Sequence, residues 1–297
     1  MKIVSLLPSA TEICFALGAG ADVRGVTFEC DYPAEARQRR IVSTSNLPEG
    51  LDPAGIDAAV RARVAAGEDL YKLDRNALRD LDPDLVITQD LCAVCAIDVV
   101  DVEEALSYLG CTAEVLTTDP HDLTEVFESI ELIGKALNRP TAALLEGLHA
   151  RLKATTDAVE LWSARPNSTR PRVMLLEWTD PPFAPGHWIP EMVELAGGAN
   201  VLGHTGLRSV RTTWPEIKAA HPDVIVSAPC GHDLAGATEV TEDLIRRDVL
   251  PSAVPVWAVD ANAHFARPGP RLVDGIETLT ALLHNTPVNP TTARRLR

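Results

Sequence analysis

The sequence predicts an α/β protein of two lobes, each a parallel-rich sheet flanked by helices, joined by one long rigid helix. Three observations lead there. Short apolar runs alternate with helical stretches along most of the chain, the pattern of a parallel sheet covered by helices. One stretch, Pro140 to Ala164, is a single long helix with Leu145, Leu148, Leu152, Val159 and Trp162 on one face and Thr155 as its one polar member. The segments on the N-terminal side of that helix resemble those on its C-terminal side.

In order, Lys2–Leu7 reads as a strand. Ser9 is placed to cap a helix running to Ala19, with Glu12 at the capping-box position and Gly18 and Gly20 as terminators. Val23–Thr27 is a strand. Leu51–Ala66 and Asp74–Leu81 are helical, Asp84–Thr88 is a strand, Glu103–Leu109 helical, Ala113–Leu116 a strand and Leu123–Leu137 a helix. Asn138 is placed to cap the long helix, with Pro140 in its first turn. Beyond it, strands are expected at 172–177, 223–227 and 254–259, with helices at 190–196, 214–220, 238–247 and 270–283. The tail from Asn285 reads as mobile. The expected domains are 1–138, a linking helix 139–165, a second lobe 166–284 and a tail 285–297.

Two pairs of segments carry the internal likeness. TEICFALGAGADVRGVT from Thr11 matches PEMVELAGGANVLGHT from Pro190, and LDPDLVITQDLC from Leu81 matches AHPDVIVSAPCG from Ala220. Two matches in the same order suggest a duplicated lobe. Glu49–Tyr71 has no counterpart and reads as an insertion in the first lobe.

A chain of 297 residues with 46% apolar residues has the composition of a soluble globular protein. The formal charge of −15 argues against a polyanion such as DNA, which needs clustered Lys and Arg. No apolar run has the length of a membrane span. Met1-Lys2 leads straight into Ile3–Leu7 and then Pro8, without the tripartite pattern of a secretory leader. The expectation is a cytoplasmic chain, or a periplasmic or cell-envelope one if a leader was removed. The scattered Cys14, Cys30, Cys111 and Cys230 do not form a small-domain disulfide framework.

In open parallel sheets ligands bind beyond the carboxyl ends of the strands. That rule selects Pro8-Ser9, Glu29–Tyr32 and Gln89–Cys92 in the first lobe. In the second it selects Trp178–Trp188, Pro229–His232 and Ala261–Arg267. Trp178, Phe183 and Trp188 share one loop, WTDPPFAPGHW. They are either a local core that packs the loop or a flat wall for a large, partly apolar ligand. His187, His232 and His264 fall on the selected loops, with Cys92, Cys95 and Cys230 nearby. Such a set suits surface hydrogen bonding, a metal held by His187, His264, Cys92 and Cys95, or an axial imidazole to a metal inside a macrocycle. The CxxC of Cys92 and Cys95 lacks the second ligand pair of a structural zinc site and the usual interior of a redox pair. There is no GxSxG, GxxxxGK[ST] or HExxH, and ALGAGADVRG follows a helix and is a helix-ending turn.

IVSLLPSATEICFALGAG, GVTFECDYP, LDPDLVITQD, the long helix, PPFAPGHW and HFARPGPRLVDGIETL together resemble the ABC-transporter substrate-binding proteins for cobalamin and iron–siderophore complexes, most nearly the vitamin B12-binding branch. The resemblance covers the chain to about Leu283. It implies two α/β lobes with a shallow ligand cleft between them, a monomer, and an ABC permease as partner. It also implies that Tyr32, Phe183, Gly186, His187, Trp214, Phe265 and Arg267 stack on or fringe a corrin ring. Gln89 and Ser45 stand where those proteins carry tryptophans, and His264 replaces another aromatic. Exposed acids that would dock the permease fall near Asp74 or Asn76, and at Glu216. The expected function is non-catalytic binding of cobalamin or a related metal chelate. The ligand set is Pro8, Ser9, Tyr32, Gln89, Trp178, Phe183, Gly186, His187, Trp188, Trp214, His232, His264, Phe265 and Arg267. A zinc- or iron-dependent enzyme or sensor on the same scaffold is the alternative, and a small-metabolite receptor is a third possibility.

Overall fold

The computed structural model describes residues 1–89 and 112–297. The helix expected at 103–109, and Cys92 and Cys95, lie outside the described residues. The chain divides into two compact units, one of Met1–Pro120 with Thr124–Leu145 and one of His121–Leu123 with Glu146–Arg297.

The first unit is built on a six-stranded sheet. Its strands are β1 (Ile3–Ser5), β2 (Val23–Thr27), β3 (Arg40–Ser45), β4 (Tyr71–Leu73), β5 (Leu85–Thr88) and β6 (Glu114–Thr117), in the order β4-β3-β2-β1-β5-β6. All pairings are parallel except β3 with β4. Every residue of β1 and β5 is buried. Strands covered on both faces read as continuous apolar runs rather than alternating ones, as IVS and LVIT do.

The described helices of this unit are α1 (Pro8–Ala16), α2 (Pro53–Ala66), α3 (Arg75–Leu81) and α4 (Leu123–Ala136). Ser9 is not the cap of α1. Pro8 takes the first turn, Leu7 is the N-cap without a side-chain bond, and Ser9 is buried inside the helix. A proline there removes one of the amides that would otherwise need a partner. Asp52 and Asp74 cap α2 and α3 by accepting from Gly55 and Ala77 amides at 2.7 and 2.9 Å. Asn138 also differs from expectation. It has φ 51° and closes α4, with the Arg139 amide donating to the Gly134 carbonyl at 2.8 Å. This is the left-handed C-terminal motif that Asn tolerates better than most residues.

The long helix, α5 (Ala142–Ser163), has 22 residues and so spans roughly 33 Å. Leu145, Leu148 and Thr155 are buried on it, while Leu152, Val159 and Trp162 are half-buried. The division between the units falls within this helix, after Leu145.

In the second unit β7 (Arg172–Leu176), β10 (Ala199–Asn200), β12 (Val224–Ser227), β13 (Val256–Val259) and β14 (Ala293–Arg295) form a sheet ordered β10-β7-β12-β13-β14. β8 (Trp178–Thr179), β9 (Pro182–Ala184) and β11 (Val210–Arg211) form a small antiparallel one. The helices are α6 (Ile189–Leu195), α7 (Trp214–Ala219), α8 (Leu234–Arg246), α9 (Ala261–His264) and α10 (Leu272–Leu283). Arg151 on α5 bonds Glu277 at 3.0 and 2.6 Å and also reaches Asp274, both on α10. The Trp162 ring stacks on His284 at 3.9 Å.

The duplicated segments occupy equivalent places. α1 leads to β2, which lies parallel to β1; α6 leads to β10, which lies parallel to β7. β5 and β12, the two Pro-Asp strands, lie on the other side of β1 and β7. Each sheet therefore has its topological switch point between one such pair.

The tail is not mobile. β14 pairs antiparallel with β13, Ala293 is buried, and the Arg297 guanidinium bonds the Pro251 and Val254 carbonyls at 2.6 and 3.0 Å. Periodicity could not reveal this, because a three-residue edge strand carries too few positions to show alternation. Truncation after Asn289 is expected to lower stability by about 2–3 kcal/mol, the order of a few lost hydrogen bonds and one buried side chain, read as a lower urea midpoint. An unchanged midpoint would show that β14 contributes nothing.

Candidate functional site

In the second unit the loops selected from the sequence are joined by backbone hydrogen bonds. The Cys230 amide, after β12, donates to the Glu177 carbonyl, after β7, at 3.0 Å. The Asn262 amide on α9 donates to the His232 carbonyl at 3.0 Å. The Trp188 indole donates to the Phe265 carbonyl at 2.8 Å. These bonds gather loops from three parts of the sequence around the switch point of β7 and β12.

Trp178 and His232 meet there, with ring centroids 5.7 Å apart and planes at 63°. Each ring is held by a local bond. The Trp178 indole donates to the Asp180 carbonyl at 3.1 Å, and Asp180 pairs with Arg247 at 2.8 Å. His232 Nδ1 lies 3.2 Å from the Cys230 carbonyl. A carbonyl can only accept, so Nδ1 carries the proton in the neutral ring and Nε2 keeps its lone pair. Phe183 stands opposite Trp178 in the β8–β9 hairpin and is half-buried.

Two of the expected ligand contacts, Phe265 and Trp188, are buried packing residues. Phe265 is fully buried and Trp188 is 5% exposed, so their rings have no face to offer a ligand. Trp214 begins α7, is half-buried and packs in part on the core cluster of Ile217, Ile225 and Leu244. Gly186 works through backbone geometry. Its amide donates to the Glu177 carboxylate at 3.0 Å, and a Cβ at that position would collide with the backbone at Leu207–Ser209. Arg267 is 9% exposed.

His187 has φ 50°, and its backbone is tied to Leu207 and Gly206 at 2.6 and 3.0 Å. Its ring lies 6.4 Å from His121 and 5.5 Å from Trp188, and its Nε2 is buried without a hydrogen-bond partner. Burial first, then His121 and Arg208, lower its pKa. His264 ends α9, which Asp260 caps, and its Nδ1 is likewise buried and unpartnered. Burial lowers its pKa against the opposing pull of Asp260 and Asp274. Both rings are thus neutral at pH 7. Among the described residues no three His, Cys, Asp or Glu side chains are grouped to hold a metal ion; Cys92 and Cys95, expected as ligands beside His187 and His264, lie outside those residues.

In the first unit Ser9 and Gln89 are 5% and 6% exposed, Pro8 is half-buried, and Tyr32 is 48% exposed. The Tyr32 loop is anchored from below: the Thr11 hydroxyl reaches Ser5 Oγ at 2.8 Å and Cys30 Sγ at 3.1 Å. Burial, with Cys30 beside it, pushes the Cys14 thiol up to about 12, which leaves it protonated and unreactive. Sequence reasoning missed Phe28 and Tyr71, whose rings lie 6.4 Å apart at this same edge. Phe28 directly follows β2, so the strand-end rule applied one residue earlier would have found it. The acids considered for docking have local duties. Asp74 caps α3, and the Glu216 carboxylate accepts from the Thr213 amide at 2.9 Å and from the Thr212 and Thr213 hydroxyls.

A family model for periplasmic binding proteins matches residues 3–254, and the chain belongs to that family. It is a substrate-binding protein. It is 27% identical to the ABC transporter substrate-binding lipoprotein YvrC of Bacillus subtilis (strain 168), over 95% of this chain and 80% of the relative. It is 26% identical to a cobalamin-binding protein of Halobacterium salinarum (strain ATCC 29341 / DSM 671 / R1), over 97% of this chain and 70% of the relative. Its fold is similar to a periplasmic heme-binding protein of Pseudomonas aeruginosa, with a TM-score of 0.71, 18% identity, and 100% and 95% of the two chains covered.

His187, His264 and His284 all titrate below the ordinary value of 6.5, with burial as the leading cause. The unfolded chain therefore binds more protons below that pH, and stability should fall as the pH drops through it toward the lowered folded values. Glu191, whose pKa burial raises above 4.5, opposes the trend in the window just above that value. Urea midpoints between pH 7.5 and 5.5 should decline, and His187→Gln should flatten the slope. An identical slope in the variant would remove His187 from the account.

Proposed function

We propose that this protein binds a metal tetrapyrrole, a corrinoid or a haem, as cargo for an ABC transporter. The observation that carries the reading is the Trp178–His232 pair at the switch point of β7 and β12. Open α/β sheets bind ligands at that place. The indole supplies a flat apolar face for a conjugated macrocycle. His232, with Nδ1 donating to the Cys230 carbonyl, keeps Nε2 free to coordinate cobalt or iron axially. In this proposal Phe183, opposite Trp178 in the β8–β9 hairpin, is a further ligand contact, and Gly186 fixes its loop through the backbone. Phe265 and Trp188 serve as packing residues, and Trp214 keeps an exposed part.

The relative named for cobalamin binding and the structural relative named for heme binding support the ligand class. The lipoprotein description of the Bacillus relative supports an extracytoplasmic location and a permease partner. The role asked of the protein is capture and release, so no catalytic group is needed.

Hydroxocobalamin and hemin, titrated separately into micromolar protein, test the reading. One of them should be retained through gel filtration with a shifted visible or Soret band. His232→Ala should lose the shift while still retaining chromophore, and Trp178→Ala should weaken retention about tenfold. Retention of neither chromophore by the unsubstituted protein would overturn the reading.

A further inference from the structure

Two cysteines that look scattered in the sequence are brought together in the first unit. Cys14 lies on α1 and Cys30 on the loop beyond β2, and both are buried. Thr11 locates the Cys30 sulfur. Its hydroxyl donates to Ser5 Oγ at 2.8 Å, and its oxygen lies 3.1 Å from Cys30 Sγ. Thr11 and Cys14 are three residues apart on α1 and so are neighbours on one face of it. Helical side chains lean toward the N-terminus of their helix, which tips the Cys14 thiol over the turn that carries Thr11. The Cys30 amide donates to the Thr27 carbonyl at 3.0 Å, a turn that folds the loop back onto the same face. Cys30 is also close enough to Cys14 to add to the effect of burial on its thiol.

The loop depends on this contact. Between Phe28 and Glu35, Cys30 is the one buried residue. Asp31 pairs with Arg37 at 3.7 Å, but the arginine is two-thirds exposed, and ion pairs in such a setting contribute little. A thiol is a weak hydrogen-bonding group, so in the reduced protein Cys30 holds the loop chiefly by packing. A covalent bond from Cys30 to α1 would anchor the loop far more strongly.

We infer that Cys14 and Cys30 form an intramolecular disulfide when the chain folds in an oxidising compartment, stapling the loop after β2 to α1. The oxidant is itself a disulfide. One cysteine thiolate attacks it and displaces a thiol, which leaves a mixed disulfide on the protein. The second cysteine attacks that bond, and the other thiol departs. Two electrons pass from the cysteines to the oxidant, and the two cysteine protons end on its two thiols. Exchange requires a thiolate, and burial keeps Cys14 protonated in the folded, reduced protein. The state set during folding is therefore retained afterwards. The bond closes the chain from Cys14 to Cys30 and so restricts the unfolded ensemble. The inference is independent of the cargo.

In the test, the full chain is refolded from urea in two buffers, one holding oxidised and reduced glutathione and the other dithiothreitol. Free thiols are alkylated in denaturant and tryptic peptides are mapped by mass spectrometry. Arg24 lies between the two cysteines, so trypsin separates them unless they are bonded. The glutathione sample should yield a Cys14–Cys30 linked peptide. Its thermal midpoint should exceed that of the dithiothreitol sample by about 5–10 °C. Cys14→Ala and Cys30→Ala should each abolish that difference, and Cys230→Ser should keep it. Each difference is taken within one variant, so the cost of truncating a buried thiol cancels. Alkylation of both Cys14 and Cys30 in the glutathione sample would overturn the disulfide. A linked peptide without a rise in midpoint would overturn the staple. If neither alanine variant folds, the peptide map and midpoints of the unsubstituted protein decide alone.

Discussion

The structure depends on two strand pairs, β1 with β5 and β7 with β12, that are parallel and almost entirely buried. Of their residues only Arg172, at the edge of β7, reaches solvent. Parallel strands need crossover connections, and helices packed on the sheet supply them. At each pair the chain leaves in opposite directions, to β2 and β10 on one side and from β5 and β12 on the other. The crevice beyond the carboxyl ends of such a pair is where side chains can converge. In the second unit that crevice holds Trp178 and His232, and the Cys230–Glu177 hydrogen bond fixes its two walls to each other.

The duplication and the insertion divide the work. The repeated elements reproduce the same strand order in both units and account for the cores. What differs between the units sits at the strand ends. The second unit adds an aromatic hairpin, and the first adds β3, α2 and β4. A repeated core with unlike edges can evolve its ligand surface without altering the packing that holds each unit together. The family match over residues 3–254 agrees with this reading of the fold.

Much of this was legible in the sequence. The strand–helix alternation, the long helix, the two repeated pairs and the loops beyond the strand ends all follow from apolar runs and their spacing. Trp178 and His232 were both selected by the strand-end rule. The differences have two causes, local helix-end geometry and tertiary contact. Ser9 looked like a cap but lies inside α1 because Pro8 fits the first turn. Asn138 looked like the start of α5 but closes α4. The tail looked mobile but completes a sheet. Phe265 and Trp188 read as ligand contacts, yet their rings are the apolar filler that the second unit needs. Phe28 and Tyr71 were passed over because they are far apart in sequence and meet only through the pairing of β2, β3 and β4.

The sequence by itself determined the α/β class, the duplicated lobe and the set of loops from which a site could be made. Those properties are periodic, and period is visible in one dimension. Which aromatics face solvent, which histidine keeps a free nitrogen and which acids are occupied as caps were decided only by the tertiary structure. Exposure and hydrogen-bond partnership depend on residues distant along the chain. His232 illustrates the difference. Its presence on a strand-end loop could be read directly, but the carbonyl that sets its tautomer and the indole beside it are supplied by the folded arrangement of β7 and β12.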